Sequence, residues 1–310
     1  MRPANKHNSI RKRALILCFL LLSTVLVSCG KKESGWSDHD RTPLGIFCFD
    51  VGKGDCIVVR AGDHVMMIDT GYADTADSVC NDLQILGIDH IDEMIITHYD
   101  KDHFGGASAF LKAYPTGTVY VPDYQSASGG YGGLMQALDK SGARIVRVNS
   151  EQTFEMDCGT EEWANADGQT TGVPETAQVR ILPPLADYDT TEENDNDMSL
   201  ITELRYGHDS FIFLGDIEKE SISHYLEREQ ASYDIMKFPH HGDWKKNVDD
   251  LVEQINPQAI IITDGTERPI EEKTEDYLER TGRTYYSTLQ NGTIAIYCYG
   301  QGTYDILTSG

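Results

Sequence analysis

Four side chains that can bind a metal ion lie within six residues of one another, directly after an apolar run at residues 94–96. They are His98, Asp100, Asp102 and His103. An apolar run bounded by polar residues is typical of a buried strand, so the four side chains would lie in the loop at its carboxyl end. Alternate side chains of an extended loop point the same way. This spacing predicts that His98, Asp100 and Asp102 converge, while His103 faces a second ion.

Two later strand ends carry compatible ligands. Asp216 follows Gly215 at the end of one apolar run, and the pair His240 and His241 follows another. A strand end that emerges from a core can hold a side chain rigidly. A solvated turn is the alternative interpretation of the 98–103 cluster. The mixture of imidazole and carboxylate, together with these downstream partners, favours a metal site.

The chemistry expected of such a site is hydrolysis. Two adjacent divalent ions that share a carboxylate lower the pKa of a bridging water to near neutrality and orient it for attack. Asp216 is the natural shared ligand because it stands alone at a strand end, after a glycine. Imidazole and carboxylate ligands suit zinc or manganese. The sequence therefore predicts a hydrolase that uses a metal-bridged hydroxide, with Asp102 or His240 handling a proton.

Alternating apolar runs and helical patterns must position these residues. Strands come first, near residues 46–50, 56–61 and 64–69, and strands then alternate with helices in two halves of the chain. This order predicts two mixed sheets packed together with helices outside. Residues 152–174 are acidic and unpatterned, which predicts a loop or a hairpin insertion.

The order of the motifs resembles a known family. The motifs are Asp69-Thr70-Gly71, the 98–106 segment, Gly215-Asp216 and His240-His241-Gly242. They resemble the metallo-β-lactamase fold superfamily, and are most similar to the branch that contains the hydrolase domain of the DNA-uptake protein ComEC. Residues 49–55 and 196–200 are also similar to that branch. The resemblance implies an α/β fold, an αββα sandwich with a di-metal site on one edge.

The resemblance also implies a role for each ligand. It places His98, Asp100 and Asn196 around the first ion, places Asp102, His103 and His241 around the second, and places Asp216 between them. Most of the superfamily has a histidine where this chain has Asp100, and the ComEC-like branch shares the carboxylate. Oxygen ligands shift the preference of the first site from zinc toward manganese or iron.

Three further residues are interpreted through the resemblance. Superfamily members place their last histidine just before the glycine, which favours His241 as the ligand and leaves His240 to contact substrate or support the site. Asp69 is expected to brace the metal loop by hydrogen bonds. An aspartic protease half-site is the alternative for Asp69, but that chemistry needs a second such carboxylate, and the chain has no second Asp-Thr-Gly. Asp243 replaces the serine that is usual after His-His-Gly, and the usual His-Pro is absent near residues 265–269.

The amino terminus has the pattern of a secretory signal. Basic residues precede the uncharged residues 14–27, which are too few to span a bilayer that needs ~20 residues. The ending Leu26-Val27-Ser28-Cys29 resembles the lipobox of bacterial lipoproteins. We predict a signal peptide at residues 1–28, a lipidated Cys29, a tether over residues 29–43 and a hydrolase domain over residues 44–310. An uncleaved or non-lipidated signal is the alternative.

The charge of the chain limits its substrates. The net charge is −24 at pH 7, and residues 1–28 contain five cations and no acids, so the exported part carries −29. Such a surface disfavours nonspecific binding of long nucleic acids. A short phosphoester remains compatible with a metal-bearing cleft. The prediction is a membrane-anchored, extracytoplasmic phosphodiesterase acting on short extracellular nucleic acid or a cell-wall phosphodiester.

Two other functions compete with this prediction. One is a lactamase or thioester hydrolase, which the missing imidazole ligands disfavour. The other is a non-catalytic lipoprotein that binds metal or nucleic acid as an accessory to an uptake system. The complete set of Asp102, His103, Asp216 and His241 favours an enzyme.

Overall fold

The first of two large β-sheets contains strands from both ends of the chain. The computed structural model describes residues 43–159, 163–164, 170–171, 174–187 and 195–310. The strands of the first sheet are β1 (Leu44–Cys48), β2 (Ile57–Ala61), β3 (His64–Ile68), β4 (Ile91–Ile95), β5 (Thr116–Pro122), β6 (Arg144–Val148), β16 (Ile294–Cys298) and β17 (Tyr304–Thr308). Their order in space is β17-β16-β1-β2-β3-β4-β5-β6.

The second sheet is built from the later half of the chain. Its strands are β7 (Gln152–Asp157), β10 (Thr176–Leu182), β11 (Ile201–Tyr206), β12 (Asp209–Phe213), β13 (Ile235–Lys237), β14 (Ala259–Ile262) and β15 (Tyr285–Ser287). They lie in the order β15-β14-β13-β12-β11-β10-β7. Two short strands, β8 (Trp163–Ala164) and β9 (Thr170–Thr171), pair with each other outside both sheets.

Helices cover the outer face of each sheet. They are α1 (Ala76–Ile85), α2 (Lys101–Phe104), α3 (Ala107–Ala113), α4 (Tyr131–Ser141), α5 (Lys219–Arg228), α6 (Val248–Ile255), α7 (Glu272–Thr281) and α8 (Thr288–Asn291). One apolar cluster joins α1, α3 and α4 to the first sheet, a second fills the space between the sheets, and a third joins α5, α6 and α7 to the second sheet. This layering confirms the predicted α/β sandwich of two mixed sheets flanked by helices.

Helix α6 illustrates why these segments fold as they do. Its apolar residues recur at helical spacing, and all four of them are buried; they are Val248, Leu251, Val252 and Ile255. An αL residue, Asn256, ends the helix. One face of α6 therefore packs onto the sheet while Asp250 stays exposed.

Parallel strands in both sheets direct the site loops to one edge. Strand β3 is parallel to β4 in the first sheet. In the second sheet, β12, β13 and β14 are parallel to one another. Parallel neighbours end on the same side of a sheet, and the loops that follow them therefore meet there.

The structure corrects three predictions of local structure. A loop or a hairpin insertion was predicted over residues 152–174; residues 152–157 instead form strand β7, which pairs antiparallel with β10, while β8 and β9 in the same range pair antiparallel with each other. Only one residue in this edge strand, Met156, is buried, so the apolar pattern was too weak to predict a strand. Residues 101–104 form a helical turn rather than an extended loop. Strand β17 was not predicted, because its side chains are only partly buried.

The amino-terminal predictions fall outside the described residues. The expected signal peptide at residues 1–28, the lipidated Cys29 and nearly all of the tether precede residue 43, where the description begins. Within the part of the chain that the structure describes, no helix is both long and apolar enough to cross a bilayer.

Candidate metal centre

Four ionisable side chains from three strand ends converge at one edge of the sandwich. They are Asp102, His103, Asp216 and His241, and one ligand atom from each lies within 4.8 Å of the others. The Nε2 atoms of His103 and His241 are each 3.1 Å from Oδ2 of Asp216. These two nitrogens are also 3.1 Å apart. Nitrogen and carboxylate donors facing one another at this separation form a set that fits a divalent cation.

The tautomers of both histidines are set by their outer nitrogens. Nδ1 of His241 is 3.0 Å from the carbonyl oxygen of Thr263, and Nδ1 of His103 is 2.7 Å from Oδ2 of Asp69. Both oxygens can only accept, so each Nδ1 donates its proton outward. Each Nε2 therefore faces Asp216 and is the nitrogen that would bind a metal ion.

His98 and Asp100 lie beside this cluster. The ring of His98 is fully buried, with its centroid 4.1 Å from that of His103. Its Nε2 has no hydrogen-bond partner in the described residues and is 3.9 Å from Oδ2 of Asp100. Oδ1 of Asp216 also lacks a hydrogen bond there. Buried polar atoms are rarely left without a partner, so these atoms fit the ligands of an ion.

Asn196 lies on the same cavity wall as Asp100. Its amide nitrogen donates to Oε1 of Glu218 at 3.1 Å, while its side-chain oxygen has no partner among the described residues. An amide held by its nitrogen presents its oxygen in a fixed direction. The structure thus places Asn196 next to the cluster, with its oxygen available as a ligand.

His240 takes a position distinct from that of His241. Its Nδ1 is 3.0 Å from Oε1 of Glu218, and its Nε2 is 3.8 Å from Oδ2 of Asp216. His240 also lines the cavity in front of the cluster, whereas His241 is only 1% exposed. The geometry brings His241 into the tight cluster and leaves His240 between the cluster and the cavity.

The backbone is strained at this site. Asp69, His240 and His241 have φ values of 56°, 48° and 55°. Non-glycine residues adopt this left-handed conformation at a cost of about 1–3 kcal/mol each. Two consecutive residues in this conformation turn the chain sharply after β13, which directs the two imidazoles to different sides.

Asp69 holds the metal loop in place. Its Oδ1 accepts a hydrogen bond from the backbone N–H of Thr97 at 2.8 Å, and its Oδ2 accepts one from the Thr97 hydroxyl at 2.7 Å. The same Oδ2 accepts the Nδ1 proton of His103. Asp69 is fully buried, and burial raises its pKa although His103 opposes this effect.

A buried ion pair lies behind the cluster and was missed at the sequence level. Nζ of Lys237 is 2.5 Å from Oδ2 of Asp55 and donates to the carbonyl oxygen of Gly215 at 3.1 Å. It is also 3.6 Å from Oδ1 of Asp216. Burial acts to lower the pKa of Lys237, but Asp55 and Asp216 hold it above its ordinary value. The sequence feature that could have indicated this ion pair is the lysine inside the apolar run that ends β13.

The two histidines of the metal loop differ in their electrostatics. Burial and the neighbouring His103 hold the pKa of His98 well below its ordinary value, so this imidazole is neutral. Burial acts to lower the pKa of His103, but Asp216 and Asp69 hold it well above its ordinary value. The carboxylates around His103 thus favour positive charge at this position.

A cavity of about 830 Å³ opens in front of the cluster. Its lining includes the candidate ligands Asp100, Asp102 and Asn196, and the cations Lys53, Lys245 and Arg268. Asp243 and residues 265–268, where this chain departs from its branch, also line it. The cavity is within the size range that small ligands occupy.

Comparisons with known proteins agree with this geometry. Residues 49–262 match the family model of the Metallo-beta-lactamase superfamily. ComE operon protein 3 of Bacillus subtilis (strain 168) is 24% identical over 267 residues, which cover 79% of this chain and 32% of that protein. Recombination protein 2 of Haemophilus influenzae is 24% identical over 287 residues, which cover 91% of this chain and 30% of that protein. The chain thus spans about a third of the length of these two relatives.

A solved structure shows the same fold. The metallo-beta-lactamase fold protein YhfI from Bacillus subtilis aligns with a TM-score of 0.51 at 9% identity, covering 81% of this chain and 99% of that one. Together with the two relatives above, it confirms the resemblance to the superfamily and to its ComEC-like branch.

Proposed function

Since the chain belongs to the metallo-beta-lactamase superfamily, we propose that this metal-dependent hydrolase cleaves phosphodiesters. The observation that carries the proposal is the cluster of Asp102, His103, Asp216 and His241 at an open cavity. Carboxylate and amide oxygens from Asp100 and Asn196 line the cavity beside it. A two-metal centre stabilises both the attacking and the leaving oxygen of an in-line displacement at phosphorus.

The ligands divide between two ions in this proposal. His98, Asp100 and Asn196 would hold the first ion, Asp102, His103 and His241 would hold the second, and Asp216 would contribute to both. When bound, zinc or manganese ions supply Lewis acidity and an activated water. The chain itself orients the ligands through Asp69 and Thr263 and excludes water from behind the site by burying His98, His103 and His241.

His240 is the residue best placed to give a proton to the leaving oxygen. Nδ1 of His240 lies 3.0 Å from Oε1 of Glu218, which places a carboxylate directly beside the imidazole. Burial acts to raise the pKa of Glu218, but His240, Lys245 and Asn196 hold it at about 2, so this carboxylate is ionised. An ionised Glu218 places a negative charge beside the His240 ring. Asp102, half-buried beside the cavity, is the second group available for proton transfer.

The relatives support a nucleic-acid substrate. One is named for recombination and one for the ComE operon, and the resemblance to the hydrolase domain of a DNA-uptake protein points in the same direction. We further propose that the protein acts outside the cytoplasm of a bacterium, anchored by a lipid on Cys29. A short extracellular nucleic acid or a cell-wall phosphodiester fits both this location and the acidic composition of the chain.

A comparison of substrates tests the function. The purified full chain is treated with chelator, reloaded with Mn²⁺ or Zn²⁺, and assayed on bis(p-nitrophenyl) phosphate, a short DNA and a cephalosporin. We expect metal-dependent cleavage of the two phosphodiesters and an intact cephalosporin. His103→Ala removes a ligand and should abolish activity, while His90→Ala, at a site away from the cluster, is the matched control.

Two outcomes would overturn the proposal. Metal-loaded protein that is inert on all three substrates would indicate a binding protein. Preferential cleavage of the cephalosporin would indicate a lactamase.

A further inference from the structure

Two cations at the cavity lack a partner of opposite charge. Lys53 and Arg268 both line it, and neither side chain makes an ion pair or hydrogen bond within the described ranges. The third cation of the cavity, Lys245, is 2.8 Å from Oε1 of Glu218 and is therefore already compensated. Two uncompensated cations are notable in a chain with a net charge of −24. Their charges are available to an anion in the cavity.

Two tightly packed turns bring these cations to one place. A Cβ atom on Gly265 would lie 2.6 Å from the backbone nitrogen of Lys53, so the two turns are in backbone contact. Gly265 and Arg268 close the second turn with reciprocal backbone hydrogen bonds of 3.3 and 3.0 Å. Only glycine permits so close an approach of two backbones. The position of Arg268 relative to Lys53 is thus built into the fold.

A buried carboxylate anchors the second turn. Oδ2 of Asp264 accepts the backbone N–H of Ile270 at 3.0 Å, and its Oδ1 accepts the hydroxyl of Ser287 at 2.5 Å. Asp264 is completely buried. The turn that carries Arg268 is therefore fixed at both ends. Because the backbone of the turn is already ordered, binding an anion requires the ordering of the side chains alone, which reduces its entropic cost.

We infer that Lys53 and Arg268 bind a second phosphate group of the substrate, separate from the phosphodiester that is cleaved. This inference rests on the proposed phosphodiesterase function, because the cleaved phosphate must lie at the metal centre. An arginine with a free guanidinium group forms paired hydrogen bonds to a phosphate, and a lysine adds a point charge. The preferred substrates are short phosphodiesters with a terminal phosphate.

The remaining acids of the cavity limit the length of the substrate. Asp74 and Glu267 line the same cavity, and both are exposed. Their negative charges repel a third phosphate. The cavity therefore has one place where cations can bind an additional phosphate, rather than a continuous row of cations along which a long nucleic acid could lie. A long polyanion would also meet the acidic surface of the chain.

Matched dinucleotides test the inference. The metal-loaded full chain is assayed on thymidylyl-thymidine and on the same dinucleotide with either a 5′-terminal or a 3′-terminal phosphate. We expect one phosphorylated form to have a kcat/KM about 10-fold higher than the unphosphorylated form, as a charge-assisted contact provides. The two phosphorylated forms show which end of the substrate the cations recognise.

Variants assign the preference to the two cations. The double substitution Lys53→Gln and Arg268→Gln should reduce the ratio between the preferred and unphosphorylated substrates to about 1. Lys140→Gln, on the exposed surface of α4, should leave the ratio unchanged. Glu267→Gln should raise it. Each ratio is taken within one variant, so differences in folding or metal content cancel.

The outcomes separate this inference from the proposed function. Equal kcat/KM for all three dinucleotides, or a preference that survives the double substitution, overturns the inference alone. If neither the dinucleotides nor bis(p-nitrophenyl) phosphate is cleaved, the proposed function fails and the inference fails with it.

Discussion

At the residue scale, Asp69 joins the metal loop to one of its imidazoles. It accepts hydrogen bonds from Thr97 and from Nδ1 of His103 and makes no direct contact with the cavity. We predict that Asp69→Asn lowers metal affinity about 10–100-fold, because the charged acceptor that orients His103 is lost. Metal titration of the chelated protein measures this effect. Activity should recover at excess metal.

Asp63→Asn is the matched control for this prediction, since Asp63 is exposed in the turn between β2 and β3. Unchanged metal affinity in Asp69→Asn would show that the hydrogen bond does not position His103.

The buried pair of Lys237 and Asp55 makes a second residue-scale prediction. Lys237→Met leaves Asp55 buried without its cation, which should reduce the free energy of unfolding by about 3–5 kcal/mol. Urea unfolding in the presence of chelator measures this loss without a contribution from metal binding. The double substitution Lys237→Met and Asp55→Asn should regain part of it. Equal stability of the single and double variants would contradict the pairing.

Residue spacing indicated that three strand ends supply the site, but it placed Asp102 with His98 and Asp100, whereas Asp102 lies with His103 because residues 101–104 are helical. It also gave no indication of the residues behind the cluster. The His98–His103 cluster, Asp216 and His241 each follow an apolar run, so strand ends could be paired by pattern alone. Asp55 and Lys237 form their contact across 182 positions of sequence, and a lysine within a strand gives no indication of its partner. Such contacts depend on how the two sheets pack, which local pattern does not encode.

At the element scale, a half-buried pair links strands β3 and β4. Nε2 of His64 is 2.6 Å from Oε2 of Glu93, and Asp92 and Asp157 lie nearby. The hydrogen bond to Glu93 raises the pKa of His64, against the opposing effect of burial. A histidine whose pKa is raised in the folded state contributes stability below its unfolded pKa and loses that contribution as pH rises through its folded pKa.

The stability difference between the wild-type protein and His64→Gln should therefore shrink with rising pH. Near pH 5.5 we expect the free energy of unfolding of the wild type to exceed that of the variant by about 1 kcal/mol, as measured by urea unfolding. This difference should decrease above neutral pH. His208→Gln, at an exposed histidine, serves as the comparison. A difference that grows with pH would contradict the pairing.

Helices and strands with one fully buried face were easier to predict from the sequence than elements whose side chains are mostly exposed. Helix α6 has a clear sequence pattern because its four buried residues repeat at helical spacing. Strand β7 and the helical turn α2 were missed. In β7 only Met156 is buried, and in α2 two of the four residues, Asp102 and His103, are candidate ligands.

At the scale of the whole molecule, three apolar layers hold the sandwich independently of the site. We predict that chelated protein keeps its secondary structure and melts cooperatively, as measured by circular dichroism. Adding Mn²⁺ or Zn²⁺ to 100 times its Kd should raise the stability by about 2.7 kcal/mol, because the ion binds only the folded chain. Loss of secondary structure on chelation would show that the metal is required for folding. His241→Ala should abolish the metal-dependent shift.

The buried lysine also bears on the number of ions that the centre holds. Five carboxylates, those of Asp55, Asp69, Asp100, Asp102 and Asp216, gather around imidazoles that would be neutral as metal ligands, and Lys237 is the only ammonium group among them in the described structure. Together they leave a charge of minus four, which is the charge that two divalent ions cancel. A low-dielectric interior tolerates little net charge. Electroneutrality thus favours a binuclear centre over a mononuclear one, and replacing Lys237 with a neutral residue would leave the loaded centre with one excess negative charge.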